Sequence, residues 1–64
     1  MRLSENHKQV LMLLSNGCTR EEAGKAMGRG TSYVYQSCYL IRKKLNVSTN
    51  IEAVARAIRE GHIQ

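Results

Sequence analysis

The chain has 64 residues, enough for one small domain, and a domain of this size buries only about 60% of the surface of its unfolded chain. Its formal net charge is +5, which favours polyanions such as nucleic acid or an acidic protein surface. Its two cysteines, Cys18 and Cys38, exclude a disulfide framework and a C-x-x-C motif, so we expect both to be buried, reduced thiols.

Several functional classes are disfavoured by what the sequence lacks. No apolar run approaches the ~18 residues of a membrane span, and no signal peptide opens the chain, so we expect a cytoplasmic protein without a membrane partner. His7 and His62 have no cysteine or carboxylate at metal-ligand spacing, and no phosphate-binding glycine loop or nucleophile elbow occurs. We therefore expect no enzyme activity, no cofactor and no metal.

The chain contains no proline, and its apolar residues recur at intervals of three and four, which predicts an all-α fold of four helices in a single domain, residues 1–64. The first helix is expected from about residue 5 to 15, with Ser4 as its N-cap. The capping box that starts at Thr19 begins a second helix, from about residue 20 to 27. Gly24 is costly inside that helix, and close approach of the next helix would explain it.

Only three residues, Gly28, Arg29 and Gly30, separate the second helix from the third, which is expected from about residue 32 to 45. A helix, a short turn and a longer helix form a helix-turn-helix, whose second helix can enter the major groove of DNA. A second capping box at Thr49 begins a fourth helix, from about residue 50 to 60, and Gly61 ends it.

The third helix has two distinct faces. At about 100° per residue, one stripe is apolar and should face the core; it comprises Val34, Cys38, Ile41 and Leu45. The opposite side gathers aromatic, amide and cationic side chains: Tyr35, Gln36, Tyr39, Arg42 and Lys43. Such residues can form an ordinary solvated face, but here they occupy the surface that contacts base edges in a helix-turn-helix.

The fourth helix carries more apolar surface than one core contact needs. Ala53, Val54, Ala57 and Ile58 are expected to cover the core side, and Ile51 and Ala55 extend the apolar arc to roughly half the circumference. Two interpretations stay open. A small domain can use every apolar contact for its core, or the helix can pair with a second copy.

The chain resembles the LuxR-type (GerE-type) helix-turn-helix domain of bacterial transcription regulators over residues 3–63. The most specific part is the pattern KL-x-V-x(4)-EAVA, which starts at Lys44; the other matching positions are Leu3, Ser4, Val10, Leu11, Gly17, Glu22, Gly28, Val34, Ile41, Gly61 and Ile63. The resemblance implies a four-helix domain that binds double-stranded DNA sequence-specifically, as a homodimer, to regulate transcription in a bacterium or phage.

The resemblance also implies roles for individual residues. Base contacts would come from Tyr35, Gln36 and Tyr39. Phosphate contacts would come from Lys43 and Lys44 with Arg42 beside them, and from Thr19 and Arg20 at the start of the second helix, where N–H groups are free. The dimer interface would comprise Ile51, Ala55, Ile58, Arg59 and His62.

The chain departs from the family pattern at His7, Arg29, Gly30, Tyr33, Tyr35 and Ser37. Arg29 and Tyr33 flank the turn, so we expect an altered approach of the recognition helix to DNA. Most family members carry a sensor or receiver domain before this module. Here Met1 lies two residues before the domain, which favours a stand-alone regulator over an excised domain.

One alternative from another functional class stays open. A helix-turn-helix can lose its DNA-binding role and use a tyrosine-rich face to bind another regulator or RNA polymerase. Tyr and Arg are enriched at the hot spots of protein interfaces. The dependence of affinity on salt concentration distinguishes the two possibilities. Affinity that rests on phosphate contacts falls steeply with ionic strength, whereas the affinity of a tyrosine-centred protein interface does not.

Overall fold

The computed structural model describes residues 3–64 and places four helices there: α1 Glu5–Ser15, α2 Arg20–Ala26, α3 Thr31–Leu45 and α4 Asn50–Arg59. No strand occurs within this range, so the predicted all-α architecture is confirmed. Each helix limit falls within one residue of its expected position. In the described range, none of the helices combines the length and the apolar character that crossing a bilayer requires.

Side-chain caps determine where three of the helices begin. The Ser4 side chain accepts a hydrogen bond from the His7 N–H at 3.1 Å, and complete capping boxes at Thr19 and Thr49 open α2 and α4. α3 differs, because its N-cap is Gly30, which has no side chain to donate or accept. The sequence therefore offers no capping side chain to mark this helix start. α3 begins at Thr31, one residue before the expected start.

α3 forms the centre of the fold and packs against each of the other helices. Its predicted core stripe is buried, and Ser37 on the edge of that stripe is buried as well. The buried apolar residues from the whole described chain are Leu3, Val10, Leu11, Ala23, Val34, Cys38, Ile41, Leu45, Ala53, Ala57 and Ile63. Because none of these is aromatic, the tyrosines are left for the flanks and the surface.

α4 covers the core with three of the four residues that the sequence places on that side. Ala53 and Ala57 are buried and Val54 is half-buried, but Ile58 has 47% of its surface exposed, so its placement on the core side was wrong. Two alanines let α4 lie close against the core. Ile58 lies about 100° around the helix from Ala57, and with α4 packed this closely its side chain extends into solvent.

Two arginines join α4 to α3. The Arg56 Nη1 donates to the carbonyl oxygen of Leu45 at 3.0 Å, which satisfies one of the free carbonyls at the end of α3. The Arg42 Nη1 donates to the Asn50 Oδ1 at the start of α4. These bonds fix the outer face of α4 relative to that of α3.

Gly24 is required by the turn rather than by the next helix. A Cβ at this position would lie 3.0 Å from the carbonyl oxygen of Arg29 and 3.2 Å from the carbonyl carbon and oxygen of Gly30. The turn folds over α2 because the Arg29 N–H donates to the Gly24 carbonyl at 2.8 Å. The expected close approach exists, but its partner is the backbone of the turn.

The two cysteines lie in different environments. Cys38 is buried in the core, and burial raises the pKa of its thiol despite the nearby positive charges of Arg42 and Arg20. Cys18 is only half-buried, which corrects the expectation that both are buried; it follows Gly17 at the surface between α1 and α2. Both are free thiols.

Candidate nucleic-acid interface

The exposed face of α3 carries the side chains that the sequence assigned to it. Tyr35 is 52% exposed and Tyr39 is 51% exposed, and Gln36 and Lys43 are exposed with them. Large half-exposed aromatic side chains are costly to leave in water when core positions are available. Their location on the helix that follows the short turn after α2 makes this face the candidate site.

Each of the three tyrosines has a cation against its ring. The Cζ of Arg20 lies 4.4 Å from the centroid of the Tyr35 ring. The Cζ of Arg29 lies 4.6 Å from the Tyr33 centroid, and the Nζ of Lys43 lies 5.3 Å from the Tyr39 centroid. Exposed cation–π contacts contribute about 0.5–1 kcal/mol each, enough to bias where a long side chain points.

Two polar clefts lie at opposite ends of this face. The N-terminal cleft has a volume of about 340 Å³ and is lined by Thr19, Arg20, Glu21, Thr31 and Tyr35. The C-terminal cleft has a volume of about 360 Å³ and is lined by Tyr39, Arg42, Lys43, Asn46 and Val47. A helix rises about 1.5 Å per residue, so Tyr35 and Lys43 are separated by about 12 Å along α3.

The positive charge of this surface is not neutralised from within the domain. Between Arg29 and Val47 the sequence contains no acidic residue. Across residues 3–64, the salt bridges are Lys8 with Glu5 and Glu60 with Arg56 and, when it is protonated, His62. None involves Arg20, Arg29 or Lys43, which leaves these three charges available to a ligand.

Other predicted phosphate contacts are placed less simply. The Thr19 Oγ1 accepts from the Glu22 N–H at 3.1 Å, so its hydroxyl is already engaged in the helix cap. Arg42 is half-buried and bonded to Asn50, although it still lines the C-terminal cleft.

Lys44 lies on a different side of α3. It is nine positions after Tyr35, which places it about 180° around the helix, and it is half-buried. Its charge, together with burial as the larger cause, lowers the pKa of His7 on α1. The Nδ1 of His7 is buried without a hydrogen-bond partner among the described residues. The structure therefore separates Lys44 from the other cations of the predicted site.

The outer side of α4 carries the predicted dimer residues. Ile51 is 83% exposed and Ala55 is exposed beside it. With Ile58 they border a shallow groove of about 660 Å³, mostly apolar, whose lining residues are Leu14, Ser15, Cys18, Thr19, Arg20, Asn50, Ile51, Val54, Ala55 and Ile58. Arg59 is exposed outside this groove, and the His62 side chain is only 17% exposed, with its Nε2 3.3 Å from Glu60.

Two residues of the N-terminal cleft were missed by the sequence prediction. Thr31 lies four residues before Tyr35 and therefore shares its face, a relation that was hidden by the expected helix start at residue 32. Glu21 was treated only as part of a capping box, and no sequence signal indicates that its carboxylate shares a cleft with Tyr35. The presence of Thr31 and Glu21 in one cleft depends on the angle at which α2 crosses α3.

Comparisons with known proteins assign no family to this chain. A scan against protein-family models finds no match, and a search of curated protein sequences also finds none. The roles of these residues are therefore argued from their geometry and chemistry.

Proposed function

We propose that this protein is a sequence-specific double-stranded DNA-binding transcription regulator of the LuxR (GerE) helix-turn-helix type, with α3 as its recognition helix. One observation carries the proposal. The outer face of α3 presents Tyr35, Gln36 and Tyr39 between two cation-bearing clefts, one at each end of the face. A helix that enters the groove with such a face meets base edges at its centre, and the C-terminal cleft, which no acid lines, can take a phosphate.

The chemistry of the three central side chains suits base edges. Gln36 can pair bidentately with the N6 and N7 of adenine. The Tyr39 ring can lie against a thymine methyl group, and the tyrosine hydroxyl can donate or accept. These are contacts that distinguish one base pair from another.

The cations supply affinity that does not depend on sequence. Lys43 is exposed in the C-terminal cleft, and Arg42 is beside it with one nitrogen committed to Asn50. No acid shares that cleft, so it suits a phosphate oxygen. At the other side of the groove the positive charge is that of Arg20.

We also propose that two copies pair through α4. Ile51, Ala55 and Ile58 are the exposed apolar residues of that helix, and one domain of this size contacts few base pairs alone. A two-fold pair would place two recognition helices about 34 Å apart, one turn of DNA, and would require an inverted-repeat site. The patch is small, so the pair would form fully only on DNA.

A protein-binding role is the second candidate, and the half exposure of Tyr35 and Tyr39 favours it. Tyrosines with adjacent cations form hot spots at protein interfaces as well as at nucleic acid. The absence of any acid between Arg29 and Val47 favours the polyanion instead.

A titration of the purified protein tests the proposal. Duplexes that bind the protein are first selected from a random pool. The affinity for the tightest-binding duplex is then measured by fluorescence anisotropy at several salt concentrations. DNA binding predicts an affinity that falls steeply and linearly with the logarithm of salt concentration, and a preference for the selected site over its scrambled version. Failure to bind any duplex at low salt would refute the DNA role and leave the protein-binding candidate.

A further inference from the structure

Arg20 occupies a position that a simple phosphate contact does not explain. It is the first residue of α2, at the part of a helix-turn-helix that usually crosses the DNA backbone. Its guanidinium nevertheless lies over the Tyr35 ring, on the exposed face of α3. Among residues 3–64 no protein group forms a hydrogen bond or salt bridge with it, so only the ring fixes its direction.

The Arg20 guanidinium lies against the Tyr35 ring, and none of its N–H donors is bonded to a described residue. The group is planar, and its donors form a rigid fork. This fork matches the O6 and N7 acceptors of guanine in the major groove, the commonest sequence-specific contact that arginine makes. The ring also restricts the arginine before DNA arrives, which lowers the entropy lost on binding.

The neighbouring carboxylate favours a base over a phosphate. Glu21 lines the same cleft as Arg20 and is exposed, without a salt bridge among the described residues. A phosphate in that cleft would meet its negative charge at close range. The N4 amino group of cytosine would instead find an acceptor. The cleft thus offers both kinds of group that a G·C pair requires, the donors of Arg20 and the acceptor of Glu21.

The C-terminal cleft provides the contrast. There Lys43 is a compact ammonium group, 5.3 Å from the Tyr39 ring centroid, and no carboxylate lines the space. An ammonium is a point charge that contacts phosphate without the directional fork of a guanidinium. Both clefts pair a cation with a tyrosine, but the arginine of the C-terminal cleft, Arg42, is half-buried and already bonded to Asn50, whereas Arg20 has no bonded partner among residues 3–64.

We propose that Arg20, positioned by the ring of Tyr35, contacts a guanine and thereby selects a G·C pair at one end of each half-site. The proposal rests on the proposed function, since it requires α3 in the major groove. Arg20 is then a specificity-determining residue rather than a phosphate contact. Tyr35 is its positioning residue, which replaces the direct base contact of Tyr35 in the family resemblance and in the proposed function above.

The test uses selected duplexes and their single-position variants with the intact protein. Selection should return a conserved G·C pair at one end of each half-site. Replacing that pair, or replacing its guanine with 7-deazaguanine, which lacks the N7 acceptor, should weaken wild-type binding by roughly 5- to 150-fold. Arg20→Ala should bind the unmodified site at that reduced level and should not respond to 7-deazaguanine. A role of Arg20 in folding alone would leave the response to 7-deazaguanine intact.

Tyr35 variants separate positioning from direct contact. Tyr35→Phe keeps the ring and should keep the guanine preference, whereas Tyr35→Leu should lose most of it although Arg20 is present. Lys43→Ala is the matched control: it should weaken all duplexes alike and retain the wild-type response to 7-deazaguanine. Circular dichroism verifies that each variant is folded, and the modified base tests the wild-type protein without any substitution.

Two results would overturn the proposal, and they differ in what else they overturn. If Arg20→Ala weakens every duplex equally and lowers the salt slope by about one, Arg20 contacts a phosphate and only this inference fails. If the wild-type protein binds no duplex, the proposed function fails with it.

Discussion

The outer faces of α3 and α4 both meet solvent, but their chemistry differs. On α3 the exposed tyrosines have cations against their rings, and the helix itself carries no acidic residue. On α4 the exposed side chains of Ile51 and Ile58 border a groove lined mostly by apolar groups. The first face suits a charged, partly aromatic ligand such as DNA, and the second suits an apolar surface. The proposed function accordingly assigns them different partners, DNA to α3 and a second copy to α4.

The two faces are also held in a fixed relation. Arg42 bonds to Asn50 and Arg56 bonds to the Leu45 carbonyl, so α4 cannot rotate freely against α3. If α4 pairs two copies, the separation and direction of the two recognition helices follow from these bonds. Single substitutions on α3 or on α4 can therefore test each face separately.

The largest effect is expected from Ala55→Glu. The position is exposed on α4, so the variant should fold, but a carboxylate on each copy would face the other across the two-fold axis. Loss of bivalent binding should weaken affinity for a two-half-site duplex by about 100-fold or more, with half-site affinity unchanged. Anisotropy titrations on whole and half sites measure this. Wild-type affinity for the whole site in this variant would show that α4 is not the pairing surface.

Gln36→Ala tests whether the exposed face of α3 contacts bases directly. Loss of the bidentate amide should cost about 1–3 kcal/mol on the preferred site and relax the preference at one base pair. Competition between the selected duplex and its single-position variants measures both quantities. Equal losses on the selected and scrambled duplexes would remove Gln36 from the base contacts.

Lys43→Ala and Lys44→Ala compare the two sides of α3 directly. Lys43 is exposed in the C-terminal cleft, and its loss should weaken all duplexes alike and lower the salt slope by about one. The sequence predicts the same for Lys44, but the half-buried position of Lys44 near His7 leads us to expect a smaller change in slope. A slope that is unchanged in the Lys43 variant would contradict its phosphate role.

The smallest effect is expected from pH and involves stability rather than binding. Burial, together with the charge of Lys44, lowers the pKa of His7 below its ordinary value of 6.5, so the unfolded chain binds this proton more readily than the folded one. Stability should therefore fall as pH drops through 6.5 toward the lowered pKa, by a few degrees in Tm at most. His7→Gln should flatten this part of the Tm profile, and an identical profile in both proteins would rule out His7 as its source.

Local features of the fold were predictable because their causes lie close together in sequence. The capping boxes at Thr19 and Thr49 each involve four consecutive residues, and the core stripe of α3 follows from helical periodicity alone. Ile58 was misplaced because several apolar residues competed for one core contact. Periodicity cannot tell which of them a neighbouring helix will cover.

The candidate site was predictable in outline only. The exposed face of α3 followed from its opposition to the core stripe. The stack of Arg20 on Tyr35 did not, because the direction of a long side chain on α2 depends on the angle at which α2 crosses α3. The separation of Lys44 from Lys43 similarly reflects which flank of α3 is covered by α1.

The most direct test of two faces with two partners is a chemical-shift map of the ¹⁵N-labelled protein titrated with a half-site and a whole-site duplex. We predict that the half site perturbs the amides around Tyr35, Gln36, Tyr39 and Lys43 and leaves α4 unchanged. The whole site should in addition perturb the amides around Ile51 and Ala55. Perturbation of α4 by the half site, or none on α3 with either duplex, would contradict the account.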